Sequence, residues 1–251
     1  MRVFPEIPYV EGGHREQKLS LYLPEADGFP LFVYFHGGGF VSGGCSMWGK
    51  AAETLTRHGI GVCSVGYRIY PEATYPEFIR DGAMGVAYIK KHIAEYGGTD
   101  RIFIGGTSAG AYLSMMLAFD PRWLGMHRLK ATDFAGFFHH TGQPTTHFNV
   151  LKERGMDYRR AVVDEAAPLY HISDATYPPM VFTASDHDMP ARLEQNKLVL
   201  ATLASFGQDM SRFTFLLEEG THSATYRQQN EDGENVFALR VVEFIKATLN
   251  A

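Results

Sequence analysis

Apolar positions along the chain fall into short runs that alternate with longer stretches at helical spacing. KLSLYL (Lys18–Leu23) alternates polar and apolar residues, the period of an edge strand. LFVYF (Leu31–Phe35) is apolar throughout and runs into glycines, as a buried central strand does. Met47–His58 reads as a helix stopped by Gly59, and IGVCSVGY (Ile60–Tyr67) as the next strand. After a turn marked by Pro71 and Pro76, Glu77–Tyr96 sets Ile79, Met84, Val86, Ala87, Ile89 and Ile93 at helical intervals, and Gly97-Gly98 ends it. RIFIG (Arg101–Gly105) predicts a strand and Ala109–Phe119 a helix rich in small residues. Strands follow at Phe134–Phe138 and Met180–Ala184, then helix, strand and helix at Ala191–Phe206, Arg212–Leu217 and Glu234–Leu249. This alternation predicts an α/β fold with a mostly parallel central sheet flanked by helices. Asp120–Asp133 and Gly142–Pro179 break it; segments that long between core elements serve as lids or pocket walls, and a lid-like insertion is expected at about 140–178.

Composition narrows the classes. The 251 residues carry no repeat and no shift in composition, so residues 1–251 read as one domain. With 45% hydrophobic residues, 26 Gly and 12 Pro, the chain is neither disordered nor a coiled coil. Lys and Arg number 23 against 28 Asp and Glu, a net charge of −5 with no basic block, which excludes a nucleic-acid surface. Cys45 and Cys63 cannot build a disulfide framework. The first residues, MRVFPEIPYVEGGHREQ, lack the apolar core of a signal peptide, and no apolar run is long enough to span a bilayer. The expectation is a soluble, cytoplasmic protein. Met, His and Cys show no ligand spacing, so neither a metal nor an organic cofactor is expected.

The chemistry concentrates in two turns. Gly106-Thr107-Ser108-Ala109-Gly110 stands between a predicted strand and a predicted helix. A strand-to-helix turn this tight strains the serine backbone, needs small neighbours, and lifts Oγ out of the sheet beside the helix N-terminus. The plain alternative is a glycine-rich turn with a capping serine. His36-Gly37-Gly38-Gly39-Phe40 follows the central strand, and glycine amides placed there can receive the negative charge that grows on a carbonyl oxygen under attack. The plain alternative is a flexible turn.

A serine needs a base, and the base an orienting acid. Of eleven histidines, His36 belongs to the glycine turn, and His14, His58, His92 and His127 read as solvated. His139, His140 and His147 are weaker candidates for pocket walls, and His171 and His187 have no distinguishing context. His222, in the loop EEGTHSATY after a strand, is the best base. TASDHDMP offers Asp186 and Asp188 as acid. Asp188 is preferred because it lies deeper in the loop and precedes Pro190; the other carboxylate would cap the loop. Phe40, Trp48, Tyr112, Phe137, Phe138 and Tyr170 could line an apolar pocket, although aromatics in such strands are more often core.

From about Leu31 to Ile245 the chain resembles the α/β-hydrolase superfamily, and within it the carboxylesterases related to hormone-sensitive lipase and to small bacterial acetyl and feruloyl esterases. The resemblance rests on HGGGF, YRIYPEATYPEFIRDGAMGVAYIKKH, DRIFIGGTSAGAYLS, the DHDMP turn and the GTHS loop. It implies Ser108 as nucleophile, His222 as base and Asp188 as its partner, with the amides of Gly37, Gly38 and Ala109 as oxyanion hole. It casts Tyr67 and Arg68 as braces at a strand end. Larger relatives carry an N-terminal cap; here 35 residues precede His36, enough for an edge hairpin, so a minimal cap or none is expected. That favours small or exposed esters over long-chain lipids. Phe40 stands where formyl-kynurenine hydrolases carry tryptophan, which disfavours formamidase activity. The expected partner is a small-molecule ester, and a homodimer is compatible with the sequence. The competing functions are an amide or peptide hydrolase, and a binding module that kept the fold without the chemistry.

Overall fold

A computed structural model describes residues 1–46 and 49–250. Eight strands form one sheet: β1 (Arg2–Pro8), β2 (Lys18–Leu23), β3 (Phe29–Phe35), β4 (Gly61–Val65), β5 (Gly98–Thr107), β6 (Gly136–His140), β7 (Met180–His187) and β8 (Phe213–Thr221), in the order β1-β2-β4-β3-β5-β6-β7-β8. The pairs from β4 to β8 are parallel, and β1–β2 and β2–β4 are antiparallel. The helices are α1 (Gly49–Arg57), α2 (Glu77–His92), α3 (Ala109–Phe119), α4 (Pro121–Gly125), α5 (Phe148–Glu153), α6 (Arg192–Ser205) and α7 (Val236–Leu249). The α/β architecture with a mostly parallel, helix-flanked sheet is therefore as expected. The start of the first expected helix, Met47, lies outside the described residues.

Core residues sort to the two faces of the sheet. One face packs Leu31, Val33, Phe35 and Ile104 with Ile79 and Val86 of α2, Tyr112 and Met116 of α3, and Val199 of α6. The other packs Phe32, Phe103 and Phe138 with Leu55 of α1 and Phe237 and Val241 of α7. Every residue of α3 is buried, which accounts for a helix apolar on all sides and rich in small residues.

Two expectations need correction. Lys18–Leu23 is not the edge strand, because β1 pairs along it and takes the edge. Its one small polar residue, Ser20, is consequently buried, accepting from the Glu6 amide and donating to Cys45 Sγ. Asp120–Asp133 is neither lid nor pocket wall: it forms α4 and a short turn whose Trp123 and Leu124 join the core. The 142–179 stretch is buried at its start and exposed over residues 152–161. Its buried segment Gln143–His147 leads into α5, which brings Phe148 to the cavity described next.

Candidate active site

β5 delivers Ser108 to the carboxyl edge of the sheet, with α3 starting at the next residue. Its backbone has φ 56° and ψ −112°, a strained conformation for a serine. The turn closes because its neighbours lack side chains. A Cβ on Gly110 would lie 2.0 Å from the Phe35 carbonyl oxygen, and one on Gly106 would lie 2.4 Å from the Gly110 backbone. The Ser108 amide donates to His140 O at 2.9 Å, which fastens the turn to β6.

Three chain segments meet at this edge. His222 follows β8, and its Nε2 lies 2.9 Å from Ser108 Oγ. On the other side of the ring, Nδ1 lies 2.5 Å from Asp188 Oδ1. The Asp188 side chain is buried and also accepts from the amides of Ser185 at 3.0 Å and Met189 at 2.7 Å. Burial alone would raise its pKa, but the hydrogen bonds from His222 and these amides outweigh it, and the carboxyl is held below the usual value. Asp186 faces elsewhere: it is exposed and accepts from the Gly220 amide at 2.8 Å, tying β7 to β8. Proton exchange is geometrically open along this hydroxyl–imidazole–carboxylate line.

Around Ser108 and His222 lies a cavity of about 500 Å³, lined among others by Gly37, Gly38, Phe148, Met189, Tyr226 and Arg227. Among the described residues, nothing accepts a backbone hydrogen bond from the amides of Gly37 or Gly38. Ala109 opens α3, where first-turn N–H groups lack intrahelical partners. Gly38 has φ +107°, and a Cβ there would meet Ser42 O at 2.1 Å, so the turn requires glycine at that position. His36 holds the turn from below. Its ring stacks on Tyr67 at 4.2 Å, Nδ1 lies 2.7 Å from Gly37 O, and burial pulls its pKa down to about 4. Tyr67 donates to His36 O at 2.6 Å, and Arg68 pairs with buried Asp81 through Nε at 2.8 Å, so both brace the strand end.

The remaining candidates are placed as follows. Phe40, Tyr112, Phe137 and Phe138 are core rather than cavity wall, Tyr170 is exposed, and Trp48 lies outside the described residues. His139, His140 and His147 are fully buried and do not line the cavity. His14, His58 and His92 are only partly exposed and sit 3.0, 3.0 and 2.9 Å from Glu72, Glu234 and Glu95, which corrects their reading as freely solvated. The buried cluster of His140, Glu218 and Thr225, and buried Arg192, escaped the sequence reading. Among the described residues, no group of three or more His, Cys, Asp or Glu is arranged to hold a metal, and no helix is long and apolar enough to cross a membrane.

With this geometry in hand, a family model described as alpha/beta hydrolase fold matches residues 32–210. The chain belongs to the alpha/beta-hydrolase-fold family. This hydrolase-fold chain is 37% identical over 97 residues to the carboxylesterase NlhH of Mycobacterium tuberculosis, covering 37% of the chain and 30% of that protein. It is 32% identical over 100 residues to an acetyl esterase of Salmonella schwarzengrund, covering 39% and 31%. A probable isoprenylcysteine alpha-carbonyl methylesterase of Arabidopsis thaliana is 34% identical over 115 residues, 44% of the chain and 27% of the relative. The matches thus span less than a third of these relatives' length. Among solved structures, a truncated carbohydrate esterase from gut microbiota superposes with a TM-score of 0.79 at 16% identity, covering 100% of this chain and 97% of that one. Esterase B of Lactobacillus rhamnosis gives 0.77 at 16% identity, covering 99% and 87%. At these identities the structural likeness concerns the fold.

Proposed function

We propose that the chain is a serine carboxylesterase acting on short-chain acyl or aryl esters, a class that includes acetyl and feruloyl esters of carbohydrates. The observation that carries this reading is the line from Ser108 Oγ through His222 to Asp188, at 2.9 and 2.5 Å, opening into the cavity beside the glycine turn. Ser108 attacks the ester carbonyl while His222 Nε2 takes its proton. Asp188 holds Nδ1–H and so fixes the tautomer in which Nε2 is free to accept. The oxyanion is received by the amides of Gly37, Gly38 and Ala109. His222 returns the proton to the departing alcohol, and water then repeats the cycle on the acyl-enzyme. The whole chain acts as one catalytic domain, and the 140–178 stretch supplies a wall of the pocket through Phe148 rather than a mobile cover.

Support for an ester substrate comes from the esterase names of the relatives and from a cavity of about 500 Å³, suited to a small molecule. The test is a panel of p-nitrophenyl esters of increasing chain length with acetylated and feruloylated sugars, run beside matched anilides. Turnover that is highest for short or aryl esters, far above the anilides, and that is lost in Ser108→Ala is the expected result. Faster anilide than ester turnover would move the assignment to an amidase, and Ser108→Ala activity within tenfold of wild type would overturn the mechanism.

A further inference from the structure

The end of β6 touches all three segments that carry the line of Ser108, His222 and Asp188. Toward the serine, His140 O accepts the Ser108 amide at 2.9 Å, and His140 Nδ1 lies 3.1 Å from Thr107 Oγ1. Toward the histidine loop, His140 Nε2 lies 3.0 Å from Glu218 Oε2 and 2.8 Å from Thr225 Oγ1. Thr225 in turn donates to the same Glu218 oxygen at 2.8 Å. One proton arrangement serves all of these contacts: Thr107 donates to Nδ1, Nε2–H is shared between Thr225 Oγ1 and Glu218 Oε2, and the Thr225 hydroxyl donates to the Glu218 carboxylate. The next residue repeats the pattern. Thr141 Oγ1 meets Ser223 Oγ at 2.7 Å, beside His222, and Thr141 O accepts from Arg192 Nη1 at 2.9 Å, just past the Asp188 turn.

The contacts of His140 are buried, and the hub holds an unfavourable backbone. His140, Thr141, Glu218, Thr225 and Arg192 are all buried. Thr141 has φ 51°, a costly value for a β-branched residue, which persists only where surroundings over-determine it. Ser223, next to His222, also has positive φ, at 57°. The Thr225 hydroxyl donates to the buried Glu218 carboxylate, and a hydrogen bond to such a charged acceptor is both strong and directional. The Ser223 and Thr141 hydroxyls share a second, part-buried bond, and both bonds hold the loop just C-terminal to His222.

We propose that His140 and Thr141 form a positioning hub, and that Thr225 and Ser223 are positioning residues which, through it, hold His222 Nε2 in line with Ser108 Oγ. His140, Thr141 and Thr225 do not line the cavity, whereas Ser223 does. The effect of Thr225 therefore falls on the chemical step and not on substrate binding. This rests on the esterase reading above, which is checked first and separately: wild type must be labelled at Ser108 by a fluorophosphonate and must turn over p-nitrophenyl acetate.

The experiment compares Thr225→Val, which keeps shape and removes the hydroxyl, with Thr225→Ser, which keeps the hydroxyl, and with Ser223→Ala. Thr225→Val is expected to lower kcat about tenfold with KM within twofold of wild type, Ser223→Ala to lower kcat by a similar factor, and both to slow fluorophosphonate labelling in proportion. Thr225→Ser is expected to recover most of that loss. A kcat within twofold of wild type in folded Thr225→Val would overturn the proposal. So would a Thr225→Val loss expressed in KM, or a Thr225→Ser variant as impaired as Thr225→Val, since packing and not the hydrogen bond would then be responsible. If Thr225→Val does not fold, Ser223→Ala decides on kcat and labelling rate alone, values within twofold of wild type overturning the proposal.

Discussion

Replacing Asp188 with asparagine changes one atom and leaves volume intact, so its effect follows from hydrogen bonding alone. The carboxylate accepts three bonds: Oδ2 from the Ser185 amide, and Oδ1 from the Met189 amide and His222 Nδ1. Asparagine offers one oxygen and one NH2. With the NH2 toward Ser185, two donors face each other in a buried site, a loss of about 1–3 kcal/mol. With the NH2 toward His222, the ring must accept at Nδ1 and carry its proton on Nε2, where it can no longer take the proton of Ser108. The negative charge that would stabilise the imidazolium is gone in either orientation. A kcat/KM loss of about 10³- to 10⁴-fold is expected, or about 4–5.5 kcal/mol of barrier. Asp186→Asn keeps an oxygen for its single bond from Gly220 in an exposed site and should stay within about threefold. Hydrolysis of p-nitrophenyl acetate near neutral pH, with thermal melting to confirm the fold, measures both. An Asp188→Asn loss below tenfold, or a larger loss for Asp186→Asn, would refute the reasoning.

Two other outcomes can be checked directly. Burial pulls the pKa of His36 down to about 4 and of His139 to about 3, so both are neutral in the fold and protonate only on unfolding below about pH 6.5. The unfolded chain then binds more protons, so stability should fall with falling pH between about 6.5 and 4, by ~1.4 kcal/mol per unit for each ring; a urea midpoint that rises on acidification across that window would contradict the sign. Arg227 lines the cavity without a carboxylate within ion-pair distance among the described residues. A carboxylate-bearing ester such as 4-acetoxybenzoate should therefore outpace its methyl ester by about fivefold in kcat/KM, the upper range for an exposed charge pair, and Arg227→Gln should remove the difference. Equal rates for the two esters in wild type would show that Arg227 has no part in recognition.

What the sequence could disclose followed from how local each signal is. GTSAG and HGGGF are readable because a tight turn or a close backbone approach excludes side chains within a few residues, and both turns sit where their flanking strands led one to expect. The strand ends were less legible. β6 extends through His139 and His140, which look like loop residues, because His139 Nδ1 finds a buried partner in Ser114 and His140 Nε2 one in Glu218. The contacts of His140 with Glu218 and Thr225 join positions 78 and 85 residues apart, and no local pattern announces them. Arg192 reads as an ordinary charged residue at a helix start, yet it is buried, its pKa drawn down to about 10 by burial against the pull of Asp188. Residues 2–8 carry too little alternation to stand out as a strand; only pairing with β2 makes them one.

The central claim is that Ser108 Oγ is activated by His222. Stoichiometric reaction with a fluorophosphonate, followed by peptide mapping, tests it most directly. One label per chain is expected, on Ser108, abolished in Ser108→Ala and strongly slowed in His222→Ala. No label, or a label on another residue at the same rate in both variants, would contradict it.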